Sequence, residues 1–197
     1  LLAYSSIEHM GLLALAVGFG GRLALLGATL HLLGHALAKA TAFIAAGDLV
    51  QRMGTRRLGR LHDGVRSAPG SGWPLLAAVL VLGGLPPSAT FTAEVAILLG
   101  GIERGWLPAA VAAAVLLGLA FAAISFHVLR IAWAGADGDE AATPGRPAAV
   151  ARAPARARAV LLATPLAAVA VMGVWLPGPL GAAIDAVVAV LAGGRAG

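Results

Sequence analysis

His31, His35 and Lys39 recur at i, i+4 and i+8 within one long apolar run. On an α-helix, with about 100° between successive residues, they fall on one stripe roughly 12 Å long. Lys39 is the only lysine among 14 basic residues; the other 13 are arginines. A lysine at the centre of a spanning helix costs about 2.5–3.5 kcal/mol on insertion scales, and ionisable groups in such places mark proton relays. Unperturbed imidazoles exchange protons between pH 5 and 8. The plainer alternatives are hydrogen-bonded packing for the histidines and snorkelling to the headgroups for the lysine. Lys39 lies about eleven residues from the nearer end of its run, roughly 16 Å, which is too far for easy snorkelling. His31 and His35 could share a metal. No third ligand is spaced to complete the set and the Lys39 cation opposes it, so no metal site is expected.

Glu94 is the second candidate. It follows Gly83-Gly84-Leu85-Pro86-Pro87-Ser88-Ala89-Thr90-Phe91, where Pro-Pro interrupts any backbone ladder. Irregular backbone at membrane depth is tolerated only inside protein or beside water. A discontinuous helix carrying an acid at the break is the arrangement of transporter ion paths. The competing role for Glu94 is to favour a helix N-terminus against the dipole. Glu8, His9 and His127 read as further relay groups or as packing residues. Arg130 reads as a headgroup anchor, and Asp48 as an i, i+4 partner of Arg52.

These residues need an apolar frame, and composition supplies it. The chain has 197 residues, of which 59% are hydrophobic and 12% charged, and its mean hydropathy is +0.89. Soluble domains carry about 25% charged residues. A soluble enzyme, a disordered tail and a coiled coil are therefore excluded. The net charge of +5 comes with only 5% aromatics, and the arginines sit between apolar runs. That pattern fits inner-surface charge better than a nucleic-acid interface. The absence of cysteine excludes thiolate metal sites and iron–sulfur ligation within this chain.

Spanning helices are expected at 3–20, 23–50, 73–101 (broken at Pro86-Pro87), 106–133 and 158–175. The apolar tail 180–191 is short for a span. The fold class is thus an all-α polytopic transmembrane bundle of about five spans. Residues 1–134 form the conducting helices, 135–157 a flexible loop, and 158–197 a last helix and tail. The arginine-bearing loops 51–72 and 134–157 fall on one side, expected to be cytoplasmic, with Arg22 and the 103–105 turn opposite. The opening residues lack the basic start of a signal peptide and run straight into an apolar segment, as the C-terminal part of a longer polypeptide would.

Three stretches resemble one family. Ser5-Ser6-Ile7-Glu8-His9-Met10-Gly11, His31-Leu32-Leu33-Gly34-His35-Ala36-Leu37-Ala38-Lys39 and Gly84-Leu85-Pro86-Pro87 through Glu94 are similar to motifs of antiporter-like proton-translocating subunits. These subunits belong to respiratory complex I and the group 4 hydrogenases. The wording around Glu8-His9 most resembles the antiporter-like component of hydrogenase-4 and formate hydrogenlyase complexes. The similarity covers residues 2–134. Asp48 stands where the family usually has Asn, and Ala93 where Ser is usual. The resemblance implies proton translocation with Lys39 as central carrier, His31 and His35 as relay and Glu94 as terminal carrier. It also implies a multi-pass place in the inner (plasma) membrane, neighbouring membrane-arm subunits and a peripheral redox arm. No cofactor and no nucleic acid are expected on this chain. A subunit of a cation/proton antiporter and a structural scaffold or truncated piece are the alternatives.

Overall fold

The longest apolar run forms the longest helix. α1 (Leu2–Phe19) turns at Gly20 into α2 (Gly21–Met53), a helix of 33 residues. Gly20 and Gly21 sit at φ +65° and +77°, a region that glycine enters without steric cost. At 1.5 Å per residue α2 is about 50 Å long, more than the ~30 Å hydrocarbon core requires. α3 (Pro69–Leu82), α4 (Ala89–Glu103), α5 (Leu107–Trp133), α6 (Ala155–Val174) and α7 (Gly178–Leu191) follow. This computed structural model describes residues 2–53, 68–133 and 154–193, and among them there is no strand. The chain is an all-α membrane helix bundle, as its composition implies. α2 is its axis: 56% of its apolar window is buried, against 6% for α5 and 17% for α6.

α3 and α4 lie end to end, antiparallel to α2, and make one broken span. Ser71 meets Asp48, and Ala78 and Leu82 pack with Ala38 and Ala42. Further along, Gly34 touches Ala89 and Thr90, and Gly27 touches Ala93 and Ile97. The span ends where Gly100 reaches Ala24. Lipid provides no hydrophobic drive between helices, so close approach over small residues has to hold them together. A Cβ at Gly100 would lie 2.5 Å from the Ala24 amide nitrogen. Gly100→Ala is therefore expected to destabilise the bundle by about 1–3 kcal/mol, the range for overpacking. A lower thermal midpoint of the detergent-solubilised protein checks this.

α6 is itself long and apolar enough to cross a membrane, and the shorter α7 continues from its end. Arg158 of α6 faces Asp48 at 3.4 Å, Gly173 abuts Pro87 and Ser88, and Asp185 of α7 bonds Arg22 at 2.6 Å. α6 ends at Val174 with Trp175 at its C-cap, and Pro177 occupies the N-cap position of α7. The charges thus divide between two ends. Asp48, Arg52 and Arg158 gather at one, with the expected Asp48–Arg52 pair at 2.7 Å. Arg22, Arg104 and Asp185 mark the other, where the Arg104 side chain lies against Gly21. The arginine loops expected from sequence fall mostly in 54–67 and 134–153, outside the described residues, as does the Arg130 side chain. Val111, Val115, Leu116, Leu119 and Phe126 leave the outer face of α5 apolar and exposed.

Candidate functional site

The tight Gly20-Gly21 turn folds α1 back along α2 and fixes which residues meet. Leu12, Ala16 and Phe19 pack against Ala24 and Ala28. One turn deeper His9 meets His31 and His35, and deeper still Ser5 meets Lys39. His9 is 1% exposed, His31 0% and Lys39 7%. The His9 ring lies 4.9 Å from that of His31 and 4.5 Å from that of His35, whereas His31 and His35 are 6.1 Å apart. His9 Nδ1 and His31 Nε2 share a hydrogen bond of 3.0 Å. The link between the two α2 histidines thus runs through α1. Lys39 Nζ donates to Ser5 Oγ at 2.7 Å and stands 5.7 Å from the Phe43 ring centroid, a cation–π distance.

The break between α3 and α4 is held by its own hydrogen bonds and by neighbouring helices, with Leu85, Pro86 and Pro87 exposed. Its backbone amides are satisfied in sequence: Gly83 to Val79, Gly84 to Val81, Leu85 to Leu80 and Ser88 to Leu85. The Thr90 hydroxyl donates to the Val81 carbonyl and shares a 2.8 Å bond with Ser88 Oγ. Thr92 Oγ1 donates to the Gly173 carbonyl at 2.8 Å, which ties the break to α6. Phe121 of α5 covers Gly83. Ser88, Ala89 and Thr90 are buried by these contacts. The cap of α4 is Ser88, whose hydroxyl accepts from the Phe91 amide at 3.3 Å. Glu94 lies past the first turn, so helix capping does not account for it. Its carboxylate rests against Gly84, which sits at φ +81° and where a Cβ would overlap the carboxylate oxygens. Glu94 is 9% exposed. Gly27 and Gly34 bracket His31 on the face of α2 turned to Ala93 and Thr90, so the histidine group and the Glu94 helix pack directly.

The structure thus gathers His31, His35, Lys39 and His9, with Glu94 on the adjoining half-helix. Glu8 is half-buried and within electrostatic range of both Lys39 and Glu94. His127 stands apart on α5, exposed, with its ring against Phe126 at 5.8 Å. Ser5 escapes a reading of sequence, although Ser5 and His9 repeat on α1 the i, i+4 spacing of His35 and Lys39. The expectation that no third ligand completes His31 and His35 is corrected here. Spacing along one helix does not register what a neighbouring helix brings, and α1 supplies His9: one ring nitrogen of each histidine lies within 4.8 Å of the other two.

Residues 1–120 match the family described as NADH:quinone oxidoreductase/Mrp antiporter, TM. The hydrogenase-4 component F homolog of Methylacidiphilum infernorum is 37% identical over 139 residues, 71% of this chain and 29% of that protein. A chain of respiratory complex I from Thermus thermophilus with bound NADH superposes with a TM-score of 0.77 at 28% identity, over 100% of this chain and 39% of that one. The Mrp complex from Dietzia sp. DQ12-45-1b shares the fold, with a TM-score of 0.70 at 21% identity over 97% of this chain and 42% of the other. The chain therefore spans less than a third of its hydrogenase-4 relative and under half of either structural neighbour.

Proposed function

The chain belongs to the NADH:quinone oxidoreductase/Mrp antiporter transmembrane family, and from that premise we propose that it conducts protons through the membrane arm of a complex I-like hydrogenase or dehydrogenase. The observation that carries this reading is the buried 3.0 Å bond between His9 and His31, in line with His35 and Lys39. A hydrogen bond between two imidazoles passes a proton without prior rearrangement of heavy atoms, and each ring can take a proton at one nitrogen and release it at the other. The order Lys39, His35, His9, His31, Glu94 is supported by His9 touching both His35 and His31, by the electrostatic reach of Lys39 to His35, and by the packing of the Glu94 helix on the His31 face of α2. Lys39 holds the proton, the imidazoles hand it across the two helices, and Glu94 releases it at the break. Glu8 couples the charges at the two ends of this line.

Redox chemistry belongs to partner subunits in this scheme; the chain contributes polar groups and no cysteine. Neighbouring membrane-arm subunits would cover part of the apolar outer faces, such as that of α5. The setting is the inner (plasma) membrane, with the bilayer covering the rest. A subunit of a cation/proton antiporter is the second reading, because the family includes Mrp antiporters.

The assembled complex in proteoliposomes separates the two. Proton movement should begin on addition of the electron donor and stop with an inhibitor of electron transfer. Proton movement that instead follows a sodium pulse, with no donor present, would replace the primary reading with the antiporter.

A further inference from the structure

We propose that His9, His31 and His35 form a binding site for a divalent first-row transition ion, with zinc as the natural representative. The site goes beyond the proton reading and does not depend on it. Three imidazoles from two helices place one ring nitrogen each within 4.8 Å of the other two. All three side chains are buried. His9 and His31 present Nδ1 and Nε2 to each other, and His35 Nδ1 is a buried ring nitrogen without a hydrogen-bond partner among the described residues. Such a nitrogen is rare in folded proteins and points to a ligand. Imidazole suits zinc, copper and nickel, and three histidines with one open position are an established zinc donor set.

The geometry needs little adjustment. Zinc–nitrogen distances of about 2.0–2.1 Å in a tetrahedral site put ligand nitrogens roughly 3.3 Å apart. His9 and His31 already approach to 3.0 Å. His35 would have to close the remaining gap, from nitrogens within 4.8 Å and a ring 4.5 Å from that of His9. Lys39 weakens affinity by its charge but takes no ligand position, because its ammonium is engaged with Ser5 and Phe43. An ion held here occupies nitrogen lone pairs that a proton would otherwise use, so where the proton reading also holds, zinc would block proton passage.

The test uses the purified chain in detergent and Co2+ as a spectroscopic probe. Cysteine is absent, so thiolate bands cannot intrude. One Co2+ per chain should bind with the visible d–d absorption of a four-coordinate site, and Zn2+ should displace it. His9→Gln, His31→Gln and His35→Gln should each weaken binding by more than about tenfold, the lower bound for losing even a supporting contact around a metal. His127→Gln should leave it unchanged. Variants are compared only where helical circular dichroism matches the parent. X-ray absorption of the Zn2+-loaded parent should count three imidazoles, which decides the matter even if every variant misfolds. An unmodified chain that binds no Co2+ in a four-coordinate site, or a folded His9→Gln variant that binds as the parent does, overturns the site.

Discussion

Lys39→Met abolishes proton translocation and leaves the chain in its membrane and its complex. Methionine has nearly the length of lysine and no titratable group. The expected loss is about 10²-fold or more, the scale on which a positioned proton-transfer group contributes. Insertion should not suffer, because the substitution removes an intramembrane cation that costs about 2.5–3.5 kcal/mol on insertion scales. Lys39 is 7% exposed and donates to Ser5, so it sits at the α1–α2 contact and not in the lipid. Lys39→Arg separates charge from proton exchange. Arginine keeps the positive charge and does not deprotonate in proteins, so flux should stay near that of the Met variant. A pH-sensitive dye in proteoliposomes, with chain content measured alongside, reads both variants. Substantial flux with Arg would show that Lys39 acts as a fixed charge.

Glu94→Gln slows proton release by about tenfold or more, the low end for loss of an acid–base group, and leaves the thermal midpoint near that of the parent. The two side chains have the same shape, so the amide fits against Gly84 but cannot carry the proton. α4 retains its start because Ser88 caps it. Steady-state flux and thermal unfolding of the same preparation check the pair of outcomes. A large loss of stability with flux unchanged per folded chain would assign Glu94 to helix support.

The helical bundle is legible in the sequence because apolar run length and charge scarcity depend only on composition along the chain. The α2 stripe is legible for a similar reason, since His31, His35 and Lys39 share one helix and one period. The break at Pro86-Pro87 is visible in the missing proline donors, and Asp48–Arg52 in its i, i+4 spacing. What crosses between helices is not legible. Ser5 and His9 become partners of Lys39 and His31 only once the left-handed turn at Gly20 and Gly21 sets the register of α1 against α2. Glu8-His9 reads as a possible relay, but nothing in its spacing says that His9 bridges His31 and His35. The role of α7 is hidden likewise. Fourteen helical residues are short for a span, and only the fold shows α6 ending beside Ser88 and α7 reaching Arg22.

The proton line is tested most directly by donor-driven flux through the assembled complex carrying His9→Gln, beside the same complex carrying His127→Gln. Gln at position 9 removes the imidazole that joins His35 to His31, whereas position 127 lies exposed on α5. Proton flux per electron is expected to fall by about tenfold or more for His9→Gln and to stay at the parent value for His127→Gln. Equal, undiminished flux in both variants would contradict a proton line through His9.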